Sequence, residues 1–128
     1  MTVTTAEWEL ADETADSGKH IKSKINNTTS SHTQGILTYN FTVANSATLY
    51  FWVKARGDDG SSDSIHYNVP AKTTTWSSNS VTTGTSYTWD QCVSYAFTAG
   101  TYQFKIKPRE INTRVDKVAI TASSTNPD

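Results

Sequence analysis

Cysteine is almost missing from this chain. Cys92 is the single one in 128 residues, so no intrachain disulfide can staple the fold, and stability has to come from packing or from a bound metal. It lies between Trp89 and Val93 in an apolar stretch, which points to a buried, inert thiol rather than a nucleophile. Strong helix formers are scarce too: leucine occurs three times (Leu10, Leu37, Leu49) and methionine once. No apolar run approaches the roughly 20 residues a membrane-spanning helix needs. Met1 leads into Thr2-Val3-Thr4-Thr5 without the basic and apolar regions of a secretory leader; a secreted parent trimmed to this module is compatible with that. The net charge of −1 provides no overall field to draw the chain to nucleic acid or to a membrane surface.

What fills the sequence is β-forming. Serine and threonine contribute 37 residues, and Val, Ile, Tyr, Phe and Trp supply most of the bulk; the branched and aromatic types among them fit a pleated surface and lose side-chain freedom in a helix. Leu37 to Val43 alternates with period two. From Thr48 to Arg56, Leu49, Phe51, Val53 and Ala55 share one face, and Tyr50, Trp52, Lys54 and Arg56 the other. Ile65, Tyr67 and Val69 form an inward set opposite Ser64, His66 and Asn68. Tyr102, Phe104 and Ile106 do the same opposite Gln103, Lys105 and Lys107. Further strands are expected at Glu7–Leu10, within His20–Ile25, around Trp76 and Trp89, and from Val115 to Thr121, with Gly57 to Ser61 and Ala99-Gly100 as turns. About eight short strands in one chain of this length predict an all-β fold, a jelly-roll sandwich of two antiparallel sheets. Residues 1–128 read as one domain, with a linker-like tail from about 122 to 128.

Four passages, in order, resemble the β-sandwich carbohydrate-binding modules of the family 6 and family 35 type. Glu7-Trp8-Glu9 is similar to their N-terminal "E-x-E", and Leu49 to Arg56 to their "Y-x-L-x-V-R-x" strand. Tyr87-Thr88-Trp89 followed by Ala99-Gly100-Thr101-Tyr102 resembles "W-x-x-W … L-x-A-G-x-H", with Ser86 or Tyr87 in place of the first tryptophan. Val115-Asp116-Lys117-Val118-Ala119-Ile120 resembles the closing "D-x-I-x-I" strand.

The resemblance implies a non-catalytic, monomeric module that targets an appended secreted enzyme to an extracellular polysaccharide, with that catalytic domain in cis. It implies a sugar site at the loop end, with Tyr87 and Trp89 as aromatic faces and Arg56, Arg109 and Asn112 beside them; the plainer reading is a core tryptophan and solvated loop residues. It also implies a structural Ca²⁺ held by Glu7, Glu9 and Asp116, against the plainer reading of solvated strand carboxylates. Alternation alone allows a second arrangement. If their strands are neighbours, Trp52, Lys54, Lys105 and Lys107 form a basic, aromatic sheet face suited to an acidic polysaccharide, or else an ordinary solvated face with edge lysines. Catalysis finds little footing. Asp58, Asp59, Asp63 and Glu110 could supply a carboxylate pair, but they sit in polar turns, and no nucleophile or zinc spacing is present. The alternative outside this class is a surface adhesion or structural sandwich that binds protein or no glycan.

Overall fold

The computed structural model describes residues 7–10 and 20–127. Nine strands follow one another: β1 (Trp8–Leu10), β2 (Ile21–Ser23), β3 (Leu37–Val43), β4 (Ala47–Arg56), β5 (Ser64–Asn68), β6 (Ser77–Ser80), β7 (Thr88–Phe97), β8 (Gly100–Pro108) and β9 (Arg114–Thr121). They build a five-stranded sheet, β1-β2-β9-β4-β7, and a four-stranded one, β3-β8-β5-β6, with every named pair antiparallel. No helix occurs among the described residues. The expected two-sheet sandwich is the observed one.

The core lies where alternation puts it. Phe51, Val53 and Ala55 of β4 are fully buried, as are Ile65 of β5 and Phe104 and Ile106 of β8. An aromatic knot ties the sheets together. The Phe51 ring lies 5.6 Å from Phe41, 5.8 Å from Phe97 and 5.1 Å from Phe104 (centroid distances), so it touches both layers. Two register shifts flank the middle of β4, at Phe51/Trp52 against β7 and at Lys54/Ala55 against β9. Such bulges sharpen the local twist and re-aim the residues beyond them. Cys92, in β7, packs against this core, and burial pushes its thiol up to about 12, as an inert cysteine requires.

Several residues that alternation points outward are nevertheless buried. Trp52 is 6% exposed, and its indole N–H donates to Thr121 Oγ1 at 2.9 Å. Ser64, His66 and Asn68 are buried as well. For His66, Asn68 and Lys107 the cause is a pair of connections that fold over the four-stranded sheet. Lys107 is 0% exposed; its ammonium donates to the carbonyls of Ser30 (2.6 Å) and His32 and sits 4.1 Å from the Trp76 ring centroid. His32 Nε2 donates to Pro108 O at 2.7 Å, and His66 Nε2 to Asn27 O at 3.1 Å. The Asn68 side-chain amide holds the carbonyls of Thr73 and Thr75 at 3.1 and 3.0 Å. Burial pulls both Lys107 and His66 below their usual ranges; for His66 the nearby cations add to this and outweigh its bond to Asn27.

Candidate functional site

Four connections gather at one pole of the sandwich: 24–36, 57–63, 81–87 and 109–113. Their packing explains two glycines. Gly35 adopts φ +68° and accepts the Trp8 indole N–H at 2.7 Å, and a Cβ there would lie 2.7 Å from Glu7 Cβ. Gly57 lies so close to the 62–63 backbone that a Cβ would meet Ser62 O at 2.6 Å, and its own N–H and C=O bond Thr82 and Gly84. The 57–63 and 81–87 loops are therefore fixed against each other.

On this pole the register sets Arg56, at the end of β4, directly across from Arg114, at the start of β9. Two like charges in that position repel. Asp58 relieves the repulsion: its Oδ1 accepts from Arg114 Nη1 at 2.6 Å and from Arg56 Nη1 at 3.0 Å. The two guanidinium groups, Arg114 foremost, hold the Asp58 carboxyl below its usual range. Arg56 also donates to Gly84 O at 3.0 Å. Tyr87 completes the group. Its ring centroid lies 5.5 Å from the Arg56 guanidinium and 4.1 Å from the His20 ring, and His20 faces Asp116 at 3.4 Å.

A second cluster adjoins it. Arg109 Nη1 donates to Ser64 Oγ at 2.8 Å and lies 3.6 Å from Glu110, whose carboxylate accepts the Ser64 hydroxyl. Asp63 hydrogen-bonds Glu110; burial and that neighbour push Asp63 up. Burial raises Glu110 too, but its hydrogen bonds to Ser64 and Asp63 outweigh this and bring it down. Carboxyl groups in direct hydrogen-bond contact are too close for glycoside hydrolysis, which needs them about 5–9 Å apart.

The expected loop-end residues are therefore only partly gathered. Arg56 and Tyr87 touch. Asn112, at φ +68°, lends its carbonyl to Arg114 at 3.4 Å, while Arg109 belongs to the Ser64–Glu110 cluster. Trp89 lies two rows down the five-stranded sheet from Arg56, cross-strand from Lys54, whose ammonium is 6.0 Å from its ring, with the indole N–H buried and unpartnered. Sequence reasoning missed Arg114, Asp58 and His20 as parts of the site. Asp58, two residues past Arg56 in a turn, was the one available signal; the Arg56–Arg114 pairing depends on a register no local pattern encodes.

The alternative sheet-face site does not form. Trp52 and Lys54 belong to β4 in the five-stranded sheet, whereas Lys105 and Lys107 belong to β8 in the other. Their outward sides are opposite surfaces of the sandwich, and Trp52 and Lys107 are both buried.

The calcium set is also dispersed. Glu9 faces Lys22, which faces Arg114, in one row across β1, β2 and β9. Asp116 lies beyond that row in one direction and Glu7 in the other, which separates their Cα atoms by about 16 Å. Calcium binds oxygens at about 2.3–2.6 Å, and two carboxylate side chains do not span that gap around one ion. Glu9 pairs instead with Lys22 at 3.4 Å and Asp116 with His20. Among the described residues no three of His, Cys, Asp and Glu are placed to hold a metal, so the residues as placed do not fit the ion. A chelator is accordingly expected to leave the melting temperature unchanged in differential scanning fluorimetry. A drop on chelation, reversed by calcium and absent in Glu9→Ala, would restore the three-carboxylate site.

The architecture is a β-sandwich of a kind found in carbohydrate-binding modules. Among solved structures, the chain is similar to the C-terminal CBM6 of LamC, a marine laminarinase from Zobellia galactanivorans (TM-score 0.65, 17% identity, covering 90% of this chain and 88% of that one). It is also similar to the carbohydrate-binding module CBM6cm-2 of Cellvibrio mixtus lichenase 5A, solved in complex with cellotriose (0.62, 17%, 91% and 86%). A ruminal GH26 endo-β-1,4-mannanase matches at 0.55 and 12% over 91% of this chain and 28% of that one. At these identities the likeness is one of fold. No family model and no curated protein matches the chain.

Proposed function

We propose that this protein binds carbohydrate at the loop pole, without catalysis, as the targeting module of a secreted polysaccharide-degrading enzyme. The observation that carries the reading is the Arg56–Asp58–Arg114 array beside Tyr87, on a sandwich shared with carbohydrate-binding modules. Among the described residues, two guanidinium groups face one carboxylate, Asp58. Asp58 and the Gly84 carbonyl hold those groups in place, so less side-chain freedom is lost when they bind. A fixed fork of this kind donates to sugar hydroxyls and pairs bidentately with a uronic carboxylate or a sulfate. The Tyr87 ring, held between the Arg56 guanidinium and His20, adds an aromatic surface to the same array for the apolar side of a pyranose. Holding an enzyme on its polymer raises the local substrate concentration, and that is the whole mechanism proposed.

Affinity electrophoresis on neutral and acidic polysaccharides tests the proposal. Retardation is expected on at least one gel, stronger on acidic chains and weakened by salt, because the attraction of an approaching acidic polymer to the pole is screened beyond about 10 Å at 0.1 M ionic strength. Tyr87→Ala should cost roughly tenfold in affinity, about 1.4 kcal/mol. Full binding by a folded Tyr87→Ala variant moves the site off this pole, and retardation on no gel sinks the glycan reading in favour of an adhesion or structural domain.

A further inference from the structure

The opposite pole is built from three turns, 44–46, 69–76 and 98–99. They surround a cavity of about 480 Å³, within the range of small-ligand sites. Its apolar part is Ala47, Ala96 and Tyr102 over the buried Phe97; hydroxyls come from Ser46, Thr48 and Thr98, and among the described residues Lys72 is the one cation that lines it. The Lys72 ammonium sits 4.5 Å from the centroid of the Phe97 ring. Lys72 is the one charged side chain among the described residues of these turns, and the described carboxylates all lie on the loop-pole half of the strands or in the loops there. No carboxylate among the described residues therefore compensates its charge.

The setting is also held in place before any ligand arrives. The Lys72 and Thr73 N–H groups both donate to Val69 O, at 2.9 and 3.2 Å, and the buried Asn68 amide grips the same turn from beneath. Across the cavity, the Tyr102 hydroxyl donates to Thr98 O at 2.9 Å and fixes the 98–99 turn. A cation beside the partly exposed Tyr102, ringed by hydroxyls and remote from the described carboxylates, matches the chemistry of one acidic sugar unit: a carboxylate for the ammonium, an apolar ring face for the tyrosine, and hydroxyls for hydroxyls.

We infer that this cleft is a second glycan site, taking a uronic acid residue. The inference rests on the carbohydrate-binding reading but not on the loop-pole site. The ten residues of β7 run from one pole to the other, about 30 Å, so a single sugar unit cannot touch both. Two sites on one module add avidity on a polymer without changing affinity for a short oligosaccharide at either site.

The test is a ¹H–¹⁵N titration of the whole chain with trigalacturonate and with a neutral glucotrisaccharide. Trigalacturonate should shift the amides of Ala47, Thr48 and Thr98. Lys72→Met, a change at an exposed position, should abolish those shifts and reduce retention on polygalacturonate gels, while Tyr87→Ala should keep the shifts. Shifts confined to the loop pole, or far-pole shifts that survive Lys72→Met, overturn the inference and leave the carbohydrate-binding reading intact. No shift with either sugar, together with no gel retention, overturns both.

Discussion

Phe51→Ala is expected to lower the free energy of unfolding by about 3–5 kcal/mol, the usual loss for a fully buried phenylalanine. Phe51 is 0% exposed and packs on Phe97 within its own sheet and on Phe41 and Phe104 of the other. Truncating it removes transfer free energy and opens a void where the two layers meet, and neither sheet can move in to fill it while the other strands hold their register. Urea unfolding followed by tryptophan fluorescence measures the loss. Gln91→Ala, on the exposed outer surface of β7, should stay within about 0.5 kcal/mol of the parent. A loss under about 1 kcal/mol for Phe51→Ala would mean that the aromatic knot does not join the layers.

Lys107→Met should cost about 2–3 kcal/mol through a different mechanism. Methionine keeps much of the buried stem and removes the ammonium that serves the Ser30 and His32 carbonyls. Those acceptors must then stay unsatisfied or swing into water and take the 24–34 connection with them. Two readouts separate this from a simple packing defect: chemical unfolding, and amide exchange across residues 27–34. Unchanged stability with unchanged exchange would show that the lysine does not strap the loop to the sheet.

These two residues mark how far the sequence could be read. Phe51 was legible because Leu49, Phe51, Val53 and Ala55 recur at every second position of β4, and the same rule located Val53, Ala55, Phe104 and Ile106 in the core. Alternation says which side of a strand a residue faces. It does not say whether that side meets water. Lys107, His66 and Asn68 face outward as expected and are buried all the same, because connections with no periodicity of their own fold across them. The candidate site was half legible for a related reason. Arg56 and Tyr87 stand in passages that carry a family pattern, but Arg114 reaches them through the β4–β9 register, and that pairing is set by the whole sheet. Membership of a sheet is equally nonlocal, so a surface assembled from Lys54 and Lys105 could be conceived from their strands and not be built by the fold.

The strand order also dictates when this domain can form. Among the described strands only β1–β2 and β5–β6 are neighbours both in sequence and in a sheet, and β9 is inserted between β2 and β4. On the ribosome, therefore, the inner edges of β2 and β4 stay open until residues 114–121 have emerged. Until then the face of β4 that carries Phe51 and Val53 has no finished sheet behind it. Such long-range pairing makes folding slow, in the range of milliseconds to seconds, and leaves the nascent chain dependent on chaperones or on its own many hydroxyl-bearing residues to stay dispersed. A chain cut before Arg114 would lose the strand that joins β2 to β4, and with it the continuous five-stranded sheet.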